Sequence, residues 1–441
     1  MKTKRFGMSV VVVSIIITMV ACNGEVNGEG EDDDMDAGQD REVDLRFSWW
    51  GTTAHHDTYL EVIDLFEEKY PHISIEPDYT GWAGYWEQMG VQASAGNLPD
   101  IVTMSTNYLL EYVANDLLYP LDDYVGEGEV IDVSDVTPAF LGNATIDGTY
   151  YALPIGVNSS MLVADSEWFD EAGIEIPEPG YTWEDYLEMA EEFGAQMGDN
   201  EYVVALDQWD PTYPPLRLWL NQHDQDIYND DLTGVDFEVE TVVEFLEMWQ
   251  PLREEGVFAP AEVYMESQQS NEDRLYMQDR SPIDFFQTSQ IGMVEQLSGK
   301  DSEMLVLPQH EDSNFAGVFA MGMMHAVSAT SEHPYEAAKF IDFWNRSEEA
   351  NELIAGMRGM PIYPEIQDFV YDLVDERDRR VFDFLDLYEE EGASYLPAQP
   401  EAFTQIDDLI TALFEQYKYG NITAEELAQD FKDGGNEILA P

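Results

Sequence analysis

Cationic side chains are scarce in this chain: 19 Lys and Arg stand against 91 Asp and Glu in 441 residues, a formal net charge of −72. A surface of that sign repels phosphate backbones, which argues against nucleic-acid binding, and it offers anionic lipid headgroups no attraction. Cysteine is scarcer still. The single Cys22 excludes an internal disulfide, so stability must come from packing. Beyond Cys22 no apolar run approaches the ~20 residues of a spanning helix. Self-similarity at a period of ~20–50 residues is lacking, which argues against solenoids, propellers and repetitive adhesive proteins. G-x-S-x-G, P-loop and dinucleotide glycine patterns are missing as well, so no cofactor is expected.

What is present is an ordinary globular composition, 44% hydrophobic and 12% aromatic. The length suggests two domains. Acidic residues run through the whole chain and lysine is scarcer than arginine, the pattern of an exported protein of a salt-loving organism. The start fits export. Lys2, Lys4 and Arg5 precede an apolar run from Phe6 to Val20, which has the length of a signal-peptide core. Met19-Val20-Ala21-Cys22 then resembles a lipobox, with Met19 where leucine is usual, and this makes Cys22 the expected lipidation site. Residues 1–22 read as a lipoprotein signal peptide. The stretch 23–42 lacks aromatics and is rich in Gly, Asp and Glu, as a disordered acidic tether would be.

The pattern beyond is strand and helix in alternation. Val43 to Trp50 reads as a strand, Thr52–His56 as the start of a helix running to Tyr70, and Ile73–Pro77 as a second strand. A helix over Tyr85–Ala95 and a strand over Asp100–Met104 follow. This order predicts a parallel sheet with right-handed crossovers, whose ligands bind beyond the strands' carboxyl ends. Further strands are expected at Leu162–Asp165, Tyr202–Leu206, Ile283–Phe286, Met304–Leu307 and Val318–Ala326. Thr182-Trp183-Glu184-Asp185 resembles a capping box opening a helix to Gln196, and Val239–Glu255 reads as one amphipathic helix. From His333 onward the pattern is helical, apart from a turn over Gly356–Pro361.

The strand ending Trp49-Trp50-Gly51, the run Phe66-Glu67-Glu68-Lys69-Tyr70-Pro71, Gly96-Asn97-Leu98-Pro99-Asp100 and Ile146-Asp147-Gly148-Thr149-Tyr150-Tyr151-Ala152-Leu153-Pro154 together resemble extracellular solute-binding proteins of family 1, the sugar-receptor subunits of ABC importers. Asp170-Glu171-Ala172-Gly173, Tyr181–Tyr186, Glu336–Phe343 and Arg358-Gly359-Met360-Pro361 continue the likeness, which covers about Asp44 to residue 365. The resemblance implies a two-lobed α/β fold, type II, each lobe a mainly parallel sheet flanked by helices, closing like a jaw on its ligand. It implies an N-terminal lobe over 43–150, a C-terminal lobe over 151–316 and a return segment to the first lobe and hinge over 317–345. A helical C-terminal part over 346–441 completes the chain. The expected partners are an oligosaccharide or other sugar and an ABC permease, with the receptor itself a monomer.

Sugars present apolar faces to aromatic rings and hydroxyl edges to amides, carboxylates, arginine or imidazole. Candidate contacts at predicted strand ends are Trp50, Gly51, His55, Trp82, Trp86, Thr106, Asn107, Trp209, Tyr213 and Phe286. Trp49 faces the opposite side of its strand and reads as core, Trp219, Trp249 and Trp344 read as core within amphipathic helices, and Trp183 reads as a brace at a helix start. His55-His56-Asp57 invites a metal, but adjacent helical residues diverge and no second cluster with ligand spacing follows, so no metal is expected. Arg217, Arg274, Arg280 or Arg358 would suit an anionic sugar if one reached the cleft. A secreted glycosidase is the alternative, needing only two suitably spaced carboxylates. No motif picks out such a pair, and a lipid tether suits delivery to a transporter, so the reading is a receptor without catalysis.

Overall fold

The computed structural model describes residues 41–207, 214–229, 231–311, 313, 318–390, 394–395 and 399–440. Cys22, the expected signal peptide, nearly all of the expected tether, Trp209 and Tyr213 lie outside the described residues.

Strand β1 (Val43–Trp50) turns Val43, Leu45 and Phe47 into the core at every second position, the period of a pleated strand. Gly51 ends it, and helix α1 (Thr53–Lys69) begins where the Thr52 N–H donates to His55 Nδ1 at 3.0 Å. After Pro71 come β2 (Ile73–Thr80), helix α2 (Trp82–Ser94), β3 (Ile101–Met104) and helix α3 (Thr106–Ala114). β1 pairs in parallel with both β2 and β3, so three carboxyl ends open on the same side. A small hairpin, β4 (Thr145–Ile146) with β5 (Thr149–Tyr150), leads into β6 (Ala152–Asp165).

β6 is fourteen residues long and buried throughout. Its later half, Ser160–Asp165, pairs antiparallel with β7 (Ile283–Gln287) and β8 (Ser302–Leu305). Its earlier half, Ala152–Ser159, pairs antiparallel with β9 (Val318–Val327), and β9 in turn pairs with β3. A two-residue β10 (Ser394–Tyr395) joins β9. The path β2-β1-β3-β9-β6-β7 is therefore one sheet, with a single strand shared by both halves.

Three local expectations change. The strand expected at Leu162–Asp165 is only the end of β6, because Pro154 and Gly156 interrupt the alternation where the β6–β9 register shifts. Tyr202–Leu206 forms a single bridge, Val203 to Phe258, and no strand. The helix expected over Val239–Glu255 is two, Val239–Glu247 and Gln250–Glu254, because Pro251 has no N–H to continue the ladder. Among the described residues no helix is long and apolar enough to cross a membrane.

The register shift in β6 has a neighbour. Val157 and Met360 exchange backbone hydrogen bonds of 2.8 and 2.9 Å, laying the 356–360 turn on the strand. Both chains must be bare for this: a Cβ on Gly156 would stand 2.5 Å from the Arg358 carbonyl oxygen, and Gly359, at φ +110°, would collide with that of Val157. The core beneath β1 is aromatic. Phe47, Tyr59, Phe340 and Trp344 surround His325, whose ring lies 5.1 Å from Phe47 and 4.9 Å from Trp344. Among the described residues neither nitrogen of His325 has a hydrogen-bond partner, and burial, followed by Arg358, pulls its pKa down to about 3.

This histidine makes stability depend on pH. Between 6.5 and about 3 the unfolded chain binds a proton that the folded core refuses, so stability falls as pH drops through that window. Urea unfolding of His325→Phe should show a shallower acid loss than the parent. The difference should approach about 1.4 kcal/mol per pH unit below 6.5. Parallel pH profiles would contradict the neutral buried ring.

Candidate functional site

Four strand ends converge on a cavity of about 1100 Å³. Trp50, Thr52 and His55 reach it from the end of β1 and the start of α1. Trp82 comes from the start of α2, and Ser105, Thr106 and Asn107 from the turn between β3 and α3. The 3₁₀ turn Thr288–Gln290 after β7 supplies the facing wall together with Gln287, and Asn158 of β6 lies on the wall as well. Met293, Met323, Met357 and Met360 add polarizable apolar surface that adapts to irregular shapes.

A polar chain links these parts. The Trp50 carbonyl accepts from Arg358 Nη2 at 2.7 Å. The Arg358 carbonyl accepts from Asn158 Nδ2 at 3.0 Å, and Thr288 Oγ1 accepts from the Ser159 N–H at 3.1 Å. End of β1, 356–360 turn, β6 and the turn after β7 are thus tied in sequence.

The aromatic wall is graded. Trp50 is 8% exposed and packed on Tyr85, while Trp82, edge-on to it at 4.9 Å, is 45% exposed. Trp86 stacks on Tyr108 at 3.8 Å and buttresses Trp50 from behind. Such an arrangement offers a free ring held in a fixed plane.

His55 is held neutral. Its Nδ1 accepts the Thr52 N–H, so the neutral ring carries its proton on Nε2. Burial, then the charge of Arg358, pulls its pKa down to about 3. His56 faces elsewhere, its Nδ1 accepting from the Trp49 indole at 3.1 Å. Burial also lowers the pKa of Arg358, whose guanidinium lies 4.9 Å from the Tyr59 ring centroid, and the same burial raises the pKa of Tyr59.

Of the residues singled out from the sequence, Trp50, His55, Trp82, Thr106 and Asn107 line the cavity. Gly51 lies just behind them, against His55 and Arg358. Trp86 backs Trp50. Phe286 is buried against Arg274, 4.5 Å from its guanidinium, and the wall takes the next residue, Gln287. The strand alternates, so neighbours face opposite sides. Trp49, Trp183, Trp249 and Trp344 are buried in the core, and Trp219 packs half-buried against Trp183. Asn158, Asn271, Gln290 and Gln399 were not singled out; the polar residues after a strand end were the available signal for Gln290 alone.

Residues 61–375 match the family of bacterial extracellular solute-binding proteins, and the chain belongs to that family. A Brucella abortus protein named as a binding protein is 27% identical over 145 residues, 32% of this chain, and the chain spans only 33% of that relative's length. The arabinooligosaccharide-binding protein of Halalkalibacterium halodurans is 24% identical over 360 residues, 75% of this chain and 76% of that one. Among solved structures, a periplasmic solute binding protein of Pectobacterium atrosepticum superposes with a TM-score of 0.79 at 22% identity, covering 90% of this chain and 98% of the other. A periplasmic oligogalacturonide binding protein of Yersinia enterocolitica, in complex with saturated digalacturonic acid, gives 0.77 at 23% identity, covering 90% and 99%. These structures share the two-lobed α/β fold.

Two glycines in neighbouring elements test the wall. A Cβ on Gly51 would lie 2.7 Å from His55 Cβ and 3.0 Å from Arg358 Nη2, whereas nothing stands within 4 Å of one on Gly90 in α2. Thermal unfolding should show Gly51→Ala destabilised by about 1–3 kcal/mol through overpacking. Gly90→Ala should gain about 0.5–1 kcal/mol from helix propensity. Equal effects would contradict the close approach at Gly51.

Proposed function

We propose that this protein is an extracellular sugar receptor that closes on an oligosaccharide and delivers it to an ABC permease, without catalysis. One observation carries the reading: Trp82 presents an open ring, braced edge-on by Trp50, in a cavity whose rim is amides and hydroxyls. An aromatic platform ringed by Asn, Gln, Ser and Thr is what pyranose faces and hydroxyl edges require. The size of the cavity favours several sugar units over one. The named ligands of the arabinooligosaccharide and oligogalacturonide binding relatives support the same class.

Residues 43–150 with the return segment 317–345 form one jaw in this reading, and 151–316 the other. Ligand contacts to both jaws select the closed state. Glu295 on the wall is committed to an ion pair with Arg380, which supports binding rather than acid catalysis. Cys22, diacylated and left as the first residue once 1–21 are removed, holds the monomeric receptor on the outer face of the membrane through the acidic tether. The charge of −72 suits work at high salt, where screening relieves self-repulsion.

Calorimetric titration with a panel of oligosaccharides at high salt tests this. A bound sugar recovered intact is the expected result, and steady degradation would favour the glycosidase alternative. Trp82→Ala should lower affinity about tenfold or more while leaving the unfolding temperature nearly unchanged, since the ring is largely exposed. Trp50→Ala should lose affinity and about 3 kcal/mol of stability together. Unchanged affinity in both would refute the aromatic platform.

A further inference from the structure

Among the described residues four arginines have guanidinium groups largely withdrawn from water, and three of them meet a carboxylate. Arg217 pairs with Asp226 at 2.7 Å, Arg274 with Asp284 at 2.6 Å, and Arg253 with Asp207. The fourth, Arg358, does not. Among the described residues no Asp or Glu oxygen lies within ion-pair distance of it, and its Nε–H has no hydrogen-bond partner. Among the described residues its guanidinium meets the Trp50 carbonyl and the Tyr59 side chain, both uncharged partners.

That vacancy is selective. Acidic residues outnumber basic ones 91 to 19, so a carboxylate is the commonest charged neighbour this sequence could supply. An arginine only 6% exposed and without one carries a desolvation cost that a pairing anion would offset. Arg358 is also the only Lys or Arg among the described residues lining the cavity. The neighbouring imidazole, His55, is neutral at ordinary pH and leaves the positive charge of this wall to Arg358 alone. Of the two carboxylates on the wall, Glu295 is already paired with Arg380, and Asp378 lies in the first turn of the helix Glu376–Glu390, where a negative charge is favoured.

We propose that Arg358 is the anion subsite of this cleft and that the ligand is an oligosaccharide bearing a carboxylate, as uronic-acid units do. This rests on the sugar-receptor reading and narrows it. The carboxylate pairs with the guanidinium while a neighbouring ring lies on Trp82, and the amides and hydroxyls of Asn107, Gln287 and Gln290 address the remaining hydroxyls. The rigid fork of arginine suits planar carboxylate recognition, which a lysine would not reproduce. Turned carbonyl-side toward Asn158, the same residue also positions the floor of the site, so its backbone and its side chain serve different ends.

The test pairs each acid with a neutral twin. Galacturonate, glucuronate and mannuronate oligosaccharides are titrated calorimetrically into the full chain, each beside its carboxyl-reduced counterpart. At least one acid should bind about thirtyfold or more tightly than its reduced twin, as expected for an anion meeting a buried, unpaired guanidinium. Arg358→Gln should erase that preference, while Arg358→Lys should recover only part of it. A reduced sugar that binds as well as its acid overturns the proposal and leaves the sugar receptor standing. Binding by no sugar of either kind overturns both. The ligand comparison needs no variant, so it decides the matter even if replacement of Arg358 prevents folding.

Discussion

Two backbones lie closer than side chains allow, and the site depends on that contact. Val157 in the middle of β6 and Met360 in the turn between the helices Glu348–Ile354 and Pro364–Leu373 exchange both their hydrogen bonds. Any Cβ at Gly156 or Gly359 would enter a carbonyl oxygen of the other chain. Because this pairing falls at the register shift in β6, the strand bends there, and Arg358 is delivered to the one point from which its side chain reaches the end of β1. Hydrogen bonding then runs from Trp50 through Arg358 and Asn158 to the Thr288 region, joining parts of the chain separated by up to 308 residues.

The binding wall is correspondingly divided in labour. Groups buried behind it set geometry: Tyr85 and Trp86 hold Trp50, Thr52 orients His55, and Tyr59 supports the guanidinium. Groups in front remain open, with Trp82 the most exposed of the aromatic set. A preorganised wall loses little side-chain freedom when a ligand settles on it, and that favours affinity. The four methionines on the cavity surface supply the complementary property, since flexible thioethers tolerate ligands of uneven outline.

Much of this was legible in the residues, for a physical reason. β1, α1 and β3 announce themselves because their periodicity and caps are local, and Trp50, His55, Trp82, Thr106 and Asn107 follow from the rule that strand ends face ligands. What escaped was non-local or off by one. The first half of β6 hid behind Pro154 and Gly156, whose presence makes sense only once the distant 356–360 turn is seen against it. Phe286 and Gln287 differ by a single step, and a one-residue change of phase turns a side chain from wall to core. Arg358 stood out as one of four candidate arginines, yet only the pairing of the other two buried ones, Arg217 and Arg274, and the position of Arg280 away from the cavity, bonded to the Asn200 carbonyl, separate it from them.

The shared strand has a consequence for inheritance. β6 contributes hydrogen-bond partners to both halves of the sheet, and β9, more than one hundred and fifty residues downstream, lies between it and β3. No cut in the gene between these strands yields a self-sufficient half: the upstream piece would lack β9, leaving open edges on β3 and β6. Surface loops and outer helices can be exchanged freely, but the two halves of this sheet must be inherited as one gene.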